Sequence, residues 1–404
     1  MAGRGRIAVP AVVLLAFLDN FALLPLIAPR AQELGADAFG VGLAVAAYSL
    51  TNLVLNLLGG SLTDRFGRRT VILASLAGSP VCLALYGLAP SLAAFIAVRV
   101  LHGALAGTLM VSMFALLGDL APEGRRGIAI GRAGALVGLA AVIGPAGAGL
   151  SARLVGTSAT LIGLAVVLAI GLLLVWLTLP ETLPAVARAG RTPGTWRRLL
   201  ADPRVRVACL TIFGLEAAVG VVTGFLKDGI VARQVETGME LERALRYAAG
   251  AQGGLFSIFA VVATVLMLSP LARTVDRRGL VGIGTVGLLA AAASTTVLAL
   301  SGSLAGDIAG IALYGVGFGL LFPASAAMIG IAVPAAERGR AYGLWNVAFD
   351  AGLVAGPLLA GVAALGSAAE PFWVATIVLV GVACLVPVVS PATSARTTAA
   401  APLP

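Results

Sequence analysis

Residues 60–69 read Gly60-Ser61-Leu62-Thr63-Asp64-Arg65-Phe66-Gly67-Arg68-Arg69, a charged break flanked by glycine between two long apolar runs. A shift of 212 residues lays Asp276-Arg277-Arg278-Gly279 on Asp64-Arg65-Phe66-Gly67. The same shift places Gly315 and Gly319 on Gly103 and Gly107, and Gly356-Pro357 on Gly144-Pro145. It also sets Pro334, Arg338, Gly339, Ala341 and Gly343 on Pro122, Arg126, Gly127, Ala129 and Gly131. So many Gly, Pro and Arg coincidences at one offset mark two copies of one unit. The start of each copy matches at a shorter offset of 197, which pairs Leu18-Asp19 with Leu215-Glu216. The difference reads as an insertion around residues 227–246.

Composition says what the repeated unit is made of. Of 404 residues 59% are hydrophobic and 11% charged, with a mean hydropathy of +1.03. Soluble domains carry about 25% charged residues, so this chain needs lipid as part of its solvent. Its 52 glycines suit helices that approach closely in a bilayer. The net charge of +9 sits in short clusters between apolar runs, which argues for topology and against a nucleic-acid partner. Cys82, Cys209 and Cys384 lie far apart inside apolar runs, as small hydrophobes rather than metal ligands. Nothing resembles a nucleophile–base pair, a metal cluster or an ATP-binding loop, so neither an enzyme nor a cofactor is expected.

Runs long enough to span fall at about 7–29, 39–60, 71–89, 92–117, 128–151, 158–179, 206–226, 247–270, 280–301, 307–332, 341–366 and 372–389. They lack the alternation of a barrel wall. The expected fold is all-α: twelve transmembrane helices in two pseudo-symmetric six-helix bundles, residues 1–180 and 206–404, joined by a basic linker at 181–205. With the N-terminus inside, 20 of the 27 Arg and Lys residues face the cytoplasm and only Arg99 lies within a span. That bias places both termini in the cytoplasm of a bacterial-type plasma membrane.

The 60–69 stretch resembles the loop between the second and third spans of the major facilitator superfamily, and its degenerate copy stands at the corresponding place between the eighth and ninth. Arg99-Val100-Leu101-His102-Gly103 is similar to that family's R-x-x-x-G element. Gly144-Pro145-Ala146-Gly147-Ala148-Gly149 resembles its antiporter-associated G-P-x-x-G-G motif, with Ala148 replacing one glycine. Pro180-Glu181-Thr182 resembles a sequence that ends the sixth span in the drug-efflux branch. The resemblance implies a monomeric carrier that alternates access to a midplane site.

In that family the loop acts as a gate. The resemblance makes Gly60, Asp64, Arg65, Gly67 and Arg68, with Asp276, Arg277 and Gly279, the gating residues. Asp64 is expected at the positive N-terminal end of the eleventh span, near Arg340 and Ala341. The simpler alternative is a basic loop that only holds orientation. Gly144, Pro145 and Gly149, with Gly356 and Pro357, read as bends in closely packed helices.

Ionisable residues inside spans cost about 2.5–3.5 kcal/mol each and so point to function. Asp19, followed by Asn20, and Glu216 lie near the middle of the first and seventh spans, where a carboxyl can bind and release a proton. Asp350, where the first copy has Gly138, suits a gate or interface as well as coupling. Arg99, without a charged mate in the second copy, needs a carboxylate or carbonyls, and Asp19 is the first candidate. His102, the single histidine, is either a packed, hydrogen-bonded residue or a proton relay. Few Asn, Gln and Trp side chains are available for a sugar. The spans suit lipophilic or cationic compounds exchanged for protons, the alternative being transport of one endogenous metabolite or lipid-like molecule.

Overall fold

The computed structural model describes residues 2–121, 126–182, 196–269, 272–363 and 370–390. Among these, twelve helices run to 20 residues or more: α1 Ala2–Glu33, α2 Ala38–Phe66, α3 Arg68–Leu88, α4 Leu92–Leu120, α5 Arg126–Val155, α6 Thr157–Thr178, α7 Pro203–Glu236, α8 Leu241–Leu268, α9 Ala272–Leu300, α10 Leu304–Ala332, α11 Arg338–Ala363 and α12 Glu370–Val389. A six-residue helix, Trp196–Ala201, leads into α7; residues 183–195 of the expected linker lie outside the described ones. Ten of the helices are long and apolar enough to cross a membrane, and α1 joins them if its two parts count as one span. Those parts meet at 46° at Pro25, which cannot donate the backbone hydrogen bond a straight helix needs.

The helix breaks follow from local chemistry. Gly35, Gly67, Gly156 and Gly238 are the described residues with positive φ, and each separates two consecutive helices. Ser91 and Ser303, one repeat apart, accept from Ala94 N and Gly306 N to cap α4 and α10 in nearly identical extended conformations.

Three expectations need correction. The signature is not a loop: 60–66 complete α2, and Gly67 alone, at φ 90°, turns the chain into α3. Its second copy does not sit at a break either, because 276–279 are helical within α9. The break has moved to Ser269, which precedes Pro270 and takes the extended conformation (ψ 160°) such a residue prefers. The side chains of Asp276 and Arg277 and the surroundings of Gly279 lie outside the described ones. The insertion at 227–246, finally, is mostly helix. It extends α7 to 34 residues, about 51 Å at 1.5 Å per residue, and starts α8 at Leu241.

Helices α1–α6 pack mainly among themselves, as do α7–α12, and the two groups meet along α2 against α11 and α5 against α8. Missing side chains make these approaches possible. A methyl group at Gly103 or Gly107 of α4 would sit 2.3 and 2.6 Å from the α2 carbonyls of Tyr48 and Asn52. In the second copy, one at Gly315 or Gly319 of α10 would come within 3.0 Å of the α8 carbonyls of Phe259 and Ala263.

Candidate functional site

Two polar assemblies stand out, one at the basic end of the bundle and one midway along it. At the basic end, α2 and α11 touch backbone to backbone: a methyl group at Gly60 would lie 2.6 Å from the Gly339 carbonyl oxygen. This is the work of Gly60, whose missing side chain lets the two backbones meet. Asp64 then meets the first turn of α11, accepting from Gly339 N at 2.9 Å and Arg340 N at 3.1 Å. Both amides belong to the unpaired set at a helix start, where the dipole favours an anion. Burial pushes the Asp64 carboxyl up, against the pull of Arg68, these two amides and Arg340.

Arg68 is fully buried and binds from three sides. It donates to Asp64 at 3.1 Å, to Asp119 at 2.9 Å, and across the interface to the Ala335 carbonyl. Asp119, at the end of α4, also accepts from Arg338 at 2.6 Å and from the Thr182 hydroxyl at 3.0 Å. Glu181 accepts from Arg68 N at 3.1 Å and fills the space a Cβ on Gly67 would need. Arg65, by contrast, points outward and lies over the Phe66 ring. Sequence reading missed Asp119, because its place in the second copy is held by Ile331 and the repeat therefore does not flag it. An acid at the basic end of a span was the available signal.

Beneath this assembly an aromatic layer closes the interface. Phe114 of α4 packs on Tyr342 and Trp345 of α11 and on Phe322 of α10, with ring centroids 5.0–6.1 Å apart. Trp345 is fully buried and donates to the Ser325 hydroxyl.

Midway along the bundle, Asp19 of α1 and Glu216 of α7 are 4% and 2% exposed. Asp19 Oδ2 meets His102 Nε2 at 2.9 Å, and His102 Nδ1 meets the Tyr86 hydroxyl at 3.1 Å. Arg99 does not reach Asp19: it donates to the Ala44 carbonyl at 2.9 Å and lies over the Tyr48 ring, 4.4 Å from its centroid. A carbonyl and a π-face answer its charge without a carboxylate. The second copy replaces His102 by Tyr314, whose hydroxyl donates to the Leu215 carbonyl at 2.7 Å. Oδ1 of Asp19 and Oε1 of Glu216 are buried without a hydrogen-bond partner. Asn20 follows Asp19, half-buried. Asp350 lies on α11, where its Oδ2 accepts from Asn56 of α2 at 2.6 Å.

The glycine–proline pairs divide. A methyl group at Gly356 would lie 2.0 Å from the Ala217 carbonyl oxygen, and Pro357 seats against Gly220, so α11 is pressed onto α7. Gly144 approaches α1 at Ala22 N, but Gly149 has open space where its side chain would be. Gly356→Val is therefore expected to cost several degrees of melting temperature or the folded protein altogether, and Gly149→Ala almost nothing. Thermal unfolding of the detergent-purified variants decides this; equal losses at both positions would remove the distinction.

A repeated bundle of apolar helices with buried carboxyls inside and a charged contact between its halves is the architecture of a membrane carrier. Residues 11–229 and 239–403 match the Major Facilitator Superfamily, and the chain belongs to that family of transporters. It is similar to the quinolone resistance protein NorA of Staphylococcus aureus, 26% identical over 111 residues, or 28% of this chain and 29% of the relative. It is also similar to the tetracenomycin C resistance and export protein of Streptomyces glaucescens, 33% identical over 133 residues, or 32% of this chain and 25% of the relative. The matched stretch thus spans under a third of either relative. Among solved structures, the human organic anion transporter MFSD10 superposes with a TM-score of 0.76 at 20% identity, covering 95% of this chain and 99% of its own. The E. coli fucose:proton symporter gives 0.74 at 17%, covering 95% and 98%. These two likenesses establish the fold.

Proposed function

We propose that the chain is a proton-coupled exporter of lipophilic or cationic compounds, working by alternating access in a bacterial-type plasma membrane. The observation that carries this is the Asp19–His102 pair at the bundle's midplane, where an acid and a base share one buried hydrogen bond and Asp19 keeps an oxygen free. Neither residue packs a core better than an apolar side chain would, and a buried pair of this kind is costly to maintain. The sequence likeness to two drug-resistance proteins supports export. The basic end is the cytoplasmic one on this reading, so the contact at Asp64 belongs to the state closed to the cytoplasm. Protons entering from outside would meet Asp19 and Glu216, and reopening inward would follow.

Purified protein in liposomes with an imposed pH gradient, supplied with lipophilic cations, neutral drugs and metabolites, tests the reading. Proton movement driven by several unrelated lipophilic compounds is expected. Transport of one metabolite alone, or compound movement indifferent to the gradient, would overturn it.

A further inference from the structure

Asp350 lies 10 residues beyond Arg340 on α11, about 15 Å deeper than the Asp64 contact on the same α2–α11 interface. Its Oδ2 accepts from Asn56 Nδ2 at 2.6 Å, a bond that joins the two halves of the chain. Asn56 is 1% exposed, and its backbone carbonyl lies where a methyl group on Gly343 would stand, at 2.5 Å. One turn back on α2, Asn52 faces the same carboxylate oxygen. Turned one way, its amide nitrogen donates to Asp350 at 3.2 Å and its oxygen accepts from Gly107 N, but that nitrogen then stands 3.0 Å from the Asn56 amide nitrogen; turned the other way, its oxygen accepts from Asn56 at 3.0 Å. The first orientation suits an ionised Asp350, which only accepts. The second sets an oxygen against Asp350 and suits a protonated one, which donates.

From this geometry we infer that Asp350, Asn52 and Asn56 form a second catch between the halves, released by protonation of Asp350. The inference rests on the transporter reading above. It reverses the logic of the outer contact: there an acid of the first half holds the second, and here an acid of the second half holds amides of the first. When ionised, Asp350 makes charge-assisted bonds across the interface, and these are about twice as strong as their neutral counterparts. A proton arriving from the open side weakens them and frees α2 from α11. The other titratable groups that face Asp350 are Tyr48 on α2 and Glu216 on α7, which lies against Gly352. Near this interface α4 and α10 present Phe114 and Phe322, and the described charged residue of α12, Glu370, sits in its first turn.

The test is a distance measurement. Spin labels at Leu177 and Leu268, exposed at the basic ends of α6 and α8, report opening once the native cysteines are replaced. The native chain should gain an open population as pH falls. D350N should raise that population about tenfold at neutral pH and flatten its pH response, and N56A, altered on the other half, should do the same. D350E should restore the response. Should D350N and N56A both keep the closed population and the pH response of the native chain, the catch does not exist. If both variants open but the native chain is insensitive to pH, Asp350 is a fixed tie and its control by protons is wrong. These outcomes are read without transport, so a failed transport assay does not decide them.

Discussion

Asp64→Asn is expected to lower the rate of solute transport by at least about tenfold while leaving membrane insertion intact. The change keeps the shape and removes the charge. Asp64 accepts two amides of the α11 N-terminus and pairs with Arg68 and Arg340, so the asparagine loses an anion from a dipole and two cations at once. Hydrogen bonds to a charged group contribute about 1.5–3 kcal/mol each. Losing about 2 kcal/mol shifts the balance between closed and open basic ends by roughly 30-fold. Arg68 keeps Asp119, which is why the protein should still fold. Initial rates in liposomes, set against the fraction of correctly inserted protein, measure the effect. Native turnover by well-inserted Asp64→Asn would show the contact to be packing rather than a gate.

That contact was legible through the resemblance of residues 60–69 to the family's signature, and the bundle around it through repetition. Glycine, proline and arginine at one offset record the backbone constraints of a duplicated bundle, and such constraints survive when apolar residues exchange freely. The same offset also explains Ser91 and Ser303, whose caps begin α4 and α10 alike. What the repeat could not show was any feature present in one copy only. Asp119, Asn56 and the aromatic layer around Trp345 have no counterpart at the matching positions, where Ile331, Leu268 and Ala133 stand. Gly60 was legible as important but not in its role. A glycine in a charged stretch reads as a turn, whereas here it lets the Gly339 backbone approach α2, a fact of tertiary packing. Of the partners expected for Arg99, the carbonyl is found and the first candidate, Asp19, is not. The neighbours of Arg99 on α2, a carbonyl and a tyrosine face, carry no charge for a sequence argument to find.

Asp19→Asn is expected to abolish uphill export and leave substrate binding in place, with the pH dependence of binding flattened. Asp19 holds His102 through one oxygen and leaves the other unpartnered, so a proton can be taken up there without first breaking the hydrogen bond. Asparagine offers His102 an uncharged partner at either pH. The carboxyl site for a proton is then gone, and binding loses its dependence on that site. His102→Asn should have a milder effect, because the acid remains and Tyr86 still packs on Phe95 of α4. Glu216 is the necessary comparison: its Oε1 is likewise buried and unpartnered, and no histidine stands beside it, since Tyr314 donates to the Leu215 carbonyl instead. Measured in the same liposomes, transport driven by a pH gradient should fall below a tenth of native for Asp19→Asn, while downhill counterflow continues. Full proton-driven transport by Asp19→Asn together with its loss in Glu216→Gln would move the coupling site to α7. Full activity in both variants and in their combination would pass the proton to Asp350 or His102, or show that transport is not coupled to protons.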